Sequence, residues 1–184
     1  MNEEQQSNNN EILTYTDFHD DLSWLTERLA VSGCFAAGDV ARLADERLIR
    51  AVIDLRDEDC DEPAILARHG IALLHLPTPD MSAATQTMLD RGVAFAREHL
   101  SRGSRILIHC QHGVGRSPLL ALCVMVDCGM EPLEALTQAK NRRACVSPSE
   151  AQYRGWAEWL ERNGHAVPDY HSFGCIAYRH LAQT

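Results

Sequence analysis

The sequence predicts an α/β fold, with a central, mostly parallel β-sheet flanked by helices on both faces. Short apolar runs of the kind that form buried strands occur at 51–55, 71–76 and 105–109. Segments with apolar residues at helical spacing separate these runs, and such alternation favours a parallel sheet covered on both faces. With 184 residues, 45% of them hydrophobic, the chain suits one domain with a sizeable core.

The first part of the chain, up to about residue 47, contains an expected disordered segment, a strand and a helix. Residues 1–12 are rich in Asn, Gln and Glu, so we expect a disordered N-terminal segment. An apolar patch begins at 22–25, and a short strand is expected over 31–37. Asp39 can cap a helix that continues to about Arg47, because its carboxylate can accept from the first free backbone N–H groups.

The later elements share two signals, which are apolar residues at strand or helix spacing and a Gly, Pro or Ser at one end. They are the strand 51–55, the helix 63–69, the strand 71–76, the helix 83–100 capped by Ser82, the strand 105–109, a helix buried on all sides from Arg116 to Gly129, and the helices 132–142 and 148–162. We therefore expect a single domain over 13–162 and a C-terminal tail over 163–184.

The loop after the strand 105–109 carries the candidate chemistry. Cys110 ends the strand, and Arg116 follows after five residues that include Gly113 and Gly115. Backbone N–H groups in such a turn at a helix N-terminus can bind an anion, and glycines permit conformations that a Cβ would obstruct. The planar fork of an arginine suits two phosphate oxygens. The same field stabilises a thiolate, so we interpret the loop as a phosphate site with a nucleophile.

The complete pattern is more specific than the spacing between Cys110 and Arg116 alone, since seven cysteines make that spacing weak evidence. His109-Cys110-x2-Gly113-x2-Arg116-Ser117 resembles the signature of the cysteine-dependent protein tyrosine phosphatase superfamily, and the short chain resembles its dual-specificity branch. The resemblance implies a dual-specificity phosphatase-like fold. It also implies hydrolysis of phosphomonoesters through a phosphocysteine, with phosphotyrosine, and further phosphoserine and phosphothreonine, as substrates in proteins. An ordinary glycine-rich turn would leave Arg116 unexplained.

The resemblance implies roles for the loop residues. Substrate phosphate would bind the Arg116 side chain and the backbone N–H groups of Gln111, His112, Gly113, Val114, Gly115 and Arg116. Cys110 would attack phosphorus. Ser117 can donate a hydrogen bond to the departing sulfur or cap the following helix.

The general acid must protonate the leaving oxygen and then activate water. Asp80 follows the neighbouring strand and precedes Cys110 by 30 residues, a separation similar to that in dual-specificity phosphatases. Asp90, inside a predicted helix, is the weaker candidate. By the same resemblance His109 would orient the loop by hydrogen bonding. Gln152 would position the hydrolytic water, although a solvent-facing helix residue is an equal alternative.

Composition limits the partners. With 17 basic and 26 acidic residues the net charge is −9, which disfavours nucleic acid and anionic membrane surfaces. We find no hydrophobic signal-peptide core and no apolar stretch of about 18 residues. The cysteines lack CxxC pairs, as expected of free thiols in a reducing compartment. We therefore expect a cytoplasmic protein that acts on a phosphorylated protein or small phosphomonoester, with no metal and no cofactor.

Other enzyme classes use similar loops. A rhodanese-like sulfurtransferase also places a cysteine at the head of an anion-binding loop, but that loop is usually shorter and would give Asp80 no purpose. A phosphatase acting on RNA 5′-phosphates has a similar loop, and the acidic balance counts against it. A phosphoinositide phosphatase would be expected to carry basic side chains where Gln111, His112 and Val114 stand.

Overall fold

The computed structural model of the protein describes residues 21–181, and one mixed β-sheet runs through it. Its strands are β1 (Ser23–Trp24), β2 (Leu29–Ser32), β3 (Ile49–Arg56), β4 (Ala72–Thr78) and β5 (Arg105–His109). They are arranged in the order β1-β2-β5-β3-β4, and among these strands β1 alone pairs antiparallel. The predicted mostly parallel sheet is therefore confirmed. β5 lies at its centre.

Helices cover both faces of the sheet, as predicted. Within the described residues they are α1 (Val40–Asp45), α2 (Pro63–Arg68), α3 (Gln86–Ser101), α4 (Arg116–Asp127), α5 (Pro132–Arg142), α6 (Glu150–Arg162) and α7 (Tyr170–Ala177), with a 3-10 turn over Ala37–Asp39. Helices α3 to α7 share the larger core with alternate strand residues, and α1 and α2 pack on the other face. Every residue of α4 except Asp127 is buried, so this helix holds the loop that precedes it in a fixed position.

Several element boundaries differ from the sequence-based expectation by a few residues, and the side chain of Asp39, at the N-cap of α1, makes no capping hydrogen bond to that helix. Three of the differences have a clear local cause. The strand expected over 31–37 is β2, which ends at Ser32 because its partner β5 ends opposite at His109. Thr85, and not Ser82, caps α3 by accepting from Met88 N. Ser82 N instead donates to Pro79 O, so Ser82 belongs to a turn. The helix expected from 148 begins at Glu150 with Ser149 as its cap.

The chain after residue 163, expected to be a tail outside the domain, contributes α7 to the main core. Phe173 and Ala177 of this helix are fully buried, and Asp169 caps it by accepting from Ser172 N. Eight residues give too short a periodic pattern to be read from the sequence. The predicted disordered segment 1–12 lies outside the described residues. Between residues 21 and 181, no helix combines the length and the apolar character that crossing a membrane requires.

Candidate active site

The loop 110–115, between β5 and α4, turns its backbone carbonyls outwards. Carbonyl oxygens of four consecutive residues accept from groups outside the loop: Gln111 from Cys34 N at 3.1 Å, His112 and Gly113 from the Arg143 guanidinium at 3.0 and 2.8 Å, and Val114 from Ser147 N at 2.9 Å. The opposite edges of these peptide planes, which carry the N–H groups, are therefore directed to the concave side. Such a ring of N–H groups at the start of a helix is an anion site.

Cys110 lies buried at the base of this ring. Its Sγ accepts a hydrogen bond from Gly113 N at 3.3 Å and lies 3.3 Å from Ser117 Oγ. The contact with Ser117 is the one the sequence predicted. The alternative role of Ser117 as a helix cap is not what the structure shows, since Gly115 occupies the N-cap position of α4 and Ser117 lies within the helix. Gly113 N–H donates to the sulfur, and the Ser117 hydroxyl is placed where it can donate to it as well.

Both loop glycines are required by their surroundings. Gly113 has φ +65°, and a Cβ there would lie 2.6 Å from Ser32 O. A Cβ on Gly115 would lie 2.4 Å from Gln152 Oε1. The first position needs a left-handed backbone and the second needs close approach of α6, so neither accommodates a larger residue without movement.

Arg116 is buried and holds an ion pair that the sequence analysis missed. Its Nη1 and Nη2 donate to the two carboxylate oxygens of Glu58 at 2.7 and 2.8 Å, and Nη1 also donates to Thr78 O at 3.0 Å. The hydrogen bond from Arg116 lowers the pKa of Glu58 to about 2. Arg116 Nε has no hydrogen-bond partner among residues 21–181 and lies 3.4 Å from Asp80 Oδ1. The pair with Glu58 therefore fixes one edge of the guanidinium and leaves the Nε edge facing the site.

The predicted general acid faces the same cleft as the predicted nucleophile. A cleft of about 200 Å³ is lined by Asp80, Met81, Cys110, His112, Val114, Gly115, Arg116, Ser147 and Gln152. The Asp80 side chain is 66% exposed at its mouth. The competing candidate, Asp90, instead binds Trp159 Nε1 and Arg162 on the α3–α6 face. Geometry thus brings Asp80 and Cys110 together and leaves Asp90 outside the lining.

His109 is fixed by a buried charge network. Its Nε2 lies 2.8 Å from Asp61 Oδ2, and Arg56 Nη2 donates to Asp61 at 2.7 Å and to Asp54 at 3.0 Å. Nδ1 of His109 has no hydrogen-bond partner in the described part of the chain. The ring is held by Asp61, and its role in orienting the loop stays a prediction.

The same network bears on metal binding. Asp54, Asp61 and His109 lie close enough together to hold a metal ion. However, Arg56 already donates to both carboxylates, so its guanidinium supplies the positive charge there. Burial alone would raise the pKa of Asp54, but the hydrogen bonds from Arg56 and the neighbouring charges together outweigh it, and the pKa is lowered.

Gln152 lies in α6 and is buried, so the solvent-facing alternative is wrong. Its Oε1 accepts from Ser149 N at 2.8 Å and its Nε2 donates to Ser82 O at 3.2 Å. The side chain lines the cleft beside Gly115. A role in positioning water stays a prediction.

Three supporting residues were not predicted from the sequence: Glu58, Asp61 and Arg143. A partial signal existed for the first two, because the charged segment 57–62 follows β3, and the carboxyl ends of parallel strands meet at one edge of a sheet. Arg143 is buried at the end of α5 and binds two loop carbonyls and Asp21. Nothing local in the sequence distinguishes it from the exposed Arg142.

The fold and this loop define the class of the protein, a cysteine-based, dual-specificity phosphatase-like protein. Residues 32–130, more than half of the chain, match the family model described as "Polymorphic toxin system, DSP-PTPase phosphatase", and the chain belongs to this family. The matched range contains Asp80 and the whole loop from Cys110 to Arg116.

Curated relatives and solved structures agree with this family. A probable protein tyrosine phosphatase type IVA A of Dictyostelium discoideum is 28% identical over 87 residues, which cover 46% of this chain and 52% of the relative. Phosphatidylglycerophosphatase and protein-tyrosine phosphatase 1 of Rattus norvegicus is 28% identical over 118 residues, covering 60% and 61%. The chain thus spans about half to three-fifths of these relatives' length.

Among solved structures, Tk-PTP in its active form superposes with a TM-score of 0.70 at 26% identity, covering 77% of this chain and 97% of that one. PTPMT1 in complex with PI(5)P superposes with a TM-score of 0.72 at 20% identity, covering 77% and 95%, and so shows the shared fold.

Proposed function

We propose that the protein hydrolyses phosphomonoesters through a phosphocysteine intermediate, with phosphotyrosine in proteins as its main substrate and phosphoserine and phosphothreonine as further substrates. One observation carries this proposal. Cys110 Sγ accepts from Gly113 N in a loop whose carbonyls at 111–114 are held outwards, and Cys110 lines one cleft together with the buried Arg116. A nucleophile inside a ring of preorganised donors is what phosphoryl transfer requires.

The hydrogen bonds that Arg116 already makes leave two of its N–H groups for phosphate binding. An arginine offers five N–H groups. Three of them face Glu58 and Thr78, so Nε–H and the second Nη2–H remain, and these two lie along one edge of the guanidinium. Two parallel donors match two oxygens of a phosphate. The equatorial oxygens of the transferring group would then be held between this edge and the loop N–H groups.

The proposed reaction has two steps. Cys110 Sγ forms a bond to phosphorus while the bond from phosphorus to the ester oxygen breaks, and Asp80 gives its proton to that oxygen. Water then attacks the phosphocysteine, Asp80 takes a proton from the water, and the sulfur leaves as a thiolate. Ser117 Oγ, 3.3 Å from the sulfur, donates to it as negative charge returns.

The size of the cleft favours a protein substrate. About 200 Å³ accommodates a phosphate and the first atoms of the group that carries it, and it is smaller than a typical small-ligand pocket. The remainder of the substrate would lie outside the cleft. A shallow site of this kind is compatible with both aromatic and aliphatic phosphoesters.

Charge at the mouth argues against polyanionic substrates. The exposed carboxylates of Asp57, Glu58, Asp59 and Asp80 lie in the cleft or in the loop beside it. Among the described residues that line the cleft, Arg116 alone is a lysine or arginine. A second phosphate on an inositol ring or along an RNA would face repulsion there. A lipid headgroup is the second candidate, supported by the likeness to the rat phosphatidylglycerophosphatase and protein-tyrosine phosphatase 1.

Hydrolysis of phenyl phosphate, whose leaving group depends on protonation, between about pH 4.5 and 8 in the presence of a chelator tests the proposal. We expect kcat/KM to show a bell-shaped dependence on pH. Cys110→Ser should show no turnover, and Asp80→Asn should lose the limb of the profile that reports the general acid. Phosphotyrosine, phosphothreonine and phosphoinositide substrates then rank the candidates. An inactive parent that forms a Cys110 persulfide with thiosulfate would replace this proposal by a sulfurtransferase.

We also propose a cytoplasmic location. All seven cysteines are free thiols, which is the state expected in a reducing compartment. The nucleophile of the proposed reaction needs that state.

A further inference from the structure

We propose that the first two turns of α6 position the general acid, so that Asp80 is held in place before substrate binds. This inference rests on the proposed function. The positioning face consists of Ser149, Gln152 and Gly155, which recur every three residues and so lie on one side of the helix. It contacts the residues that directly follow Asp80.

Two side-chain hydrogen bonds connect this face to the acid loop, residues 77–82. Ser149 Oγ donates to Met81 O at 2.7 Å, and Gln152 Nε2 donates to Ser82 O at 3.2 Å. The same Ser149 Oγ accepts from Gln152 N at 3.2 Å, which makes it the helix cap. One hydroxyl therefore starts the helix and holds the residue next to Asp80.

Gly155 allows the helix to come this close. A Cβ at this position would lie 2.5 Å from Ala83 Cβ. Gln86 Nε2 also donates to Gly155 O at 2.9 Å. Glycine inside a helix is less favourable than alanine, so its presence here fits a requirement for close approach between α6 and the chain after the acid loop.

The backbone is consequently held on both sides of Asp80. Before it, Thr78 O accepts from Arg116 Nη1 at 3.0 Å. After it, Met81 has a left-handed backbone with φ +59°, a conformation that a non-glycine residue keeps only when its surroundings enforce it. Two hydrogen bonds hold this segment: Ser82 N donates to Pro79 O at 3.1 Å and closes a turn over 79–82, and Ser149 Oγ donates to the Met81 carbonyl. The arrangement places the acid without a closing movement of the loop.

The sharpest test separates the two tasks of Ser149. Ser149→Asp keeps an acceptor for Gln152 N but has no proton to donate to Met81 O, whereas Ser149→Thr keeps both functions. Asp169→Ala, which removes the cap of α7, controls for the loss of a helix cap elsewhere. The readout is kcat/KM for 4-nitrophenyl phosphate, whose leaving group needs little protonation, and for phenyl phosphate, whose leaving group depends on Asp80.

We expect Ser149→Asp to lose on the order of ten-fold on phenyl phosphate and less than about two-fold on 4-nitrophenyl phosphate, with Ser149→Thr and Asp169→Ala close to the parent on both. Gly155→Ala should likewise lower kcat/KM more on phenyl phosphate than on 4-nitrophenyl phosphate. Equal losses on the two substrates, or none, in both Ser149→Asp and Gly155→Ala would overturn the inference while leaving the phosphatase proposal intact. A parent inactive on both substrates would remove the phosphatase proposal and this inference with it.

Discussion

Glu58→Gln removes the charged partner of the buried Arg116, and its effect on stability can be worked out from the structure. The hydrogen bond from Arg116 lowers the Glu58 pKa from 4.5 to about 2, a change equivalent to about 3 kcal/mol for a fully protected group. The Glu58 side chain is 42% exposed, so solvent screening reduces this figure. We expect the variant to be less stable by about 1 to 2 kcal/mol at pH 7.

The pH dependence follows from the sign of the shift. A carboxylate whose pKa is lower in the folded state stabilises the fold fully above its unfolded value of 4.5 and loses this contribution as the pH falls towards 2. The difference between parent and variant should therefore be constant from pH 7 to 6 and should fall below about half at pH 3.

Urea unfolding at pH 7, 6 and 3 measures this difference. Glu158→Gln, an exposed position on α6, is the matched control and should change stability by less than about 0.5 kcal/mol. Equal stability of the parent and Glu58→Gln at pH 7, or a difference that persists in full at pH 3, would refute the reasoning.

Two further predictions concern the support of the loop. Arg143→Lys keeps the charge but has no planar fork to serve two carbonyls, so kcat/KM on 4-nitrophenyl phosphate should fall on the order of ten-fold; an unchanged kcat/KM would contradict the buttressing role. Gly113→Ala brings a Cβ against Ser32 O at a position with a left-handed backbone. Thermal unfolding should show a free energy of unfolding lower by more than about 2 kcal/mol. Gly38→Ala, where a Cβ meets nothing within 4 Å, should change stability by less than about 1 kcal/mol.

The parts of the site that sequence predicted are those encoded over a short stretch. Cys110, Gly113, Arg116 and Ser117 lie within eight residues, and their spacing alone indicates a loop at a helix N-terminus. The strands and helices that hold this loop carry clear periodic patterns. Asp80 could be proposed because parallel strands end at the same edge of a sheet, which brings the loop after β4 towards the loop after β5.

The remaining residues depend on contacts that only folding creates. Glu58 precedes Arg116 by 58 positions, in a charged segment that looks like an ordinary solvated loop. Arg143 and the neighbouring Arg142 are identical in kind, and only the docking of α5 buries one of them. Likewise, Ser149 reads as a simple helix cap until the acid loop is placed against its hydroxyl. Composition and periodicity do not encode such pairings.

Detection of the covalent intermediate tests the central claim most directly. Ser117→Ala removes the donor to the leaving sulfur, so hydrolysis of the intermediate should slow more than its formation. After mixing with excess 4-nitrophenyl phosphate and rapid denaturation, mass spectrometry should find a phosphate adduct on Cys110 in this variant and none in Cys110→Ser. Turnover by Cys110→Ser, or a phosphate adduct on a residue other than Cys110, would contradict the account.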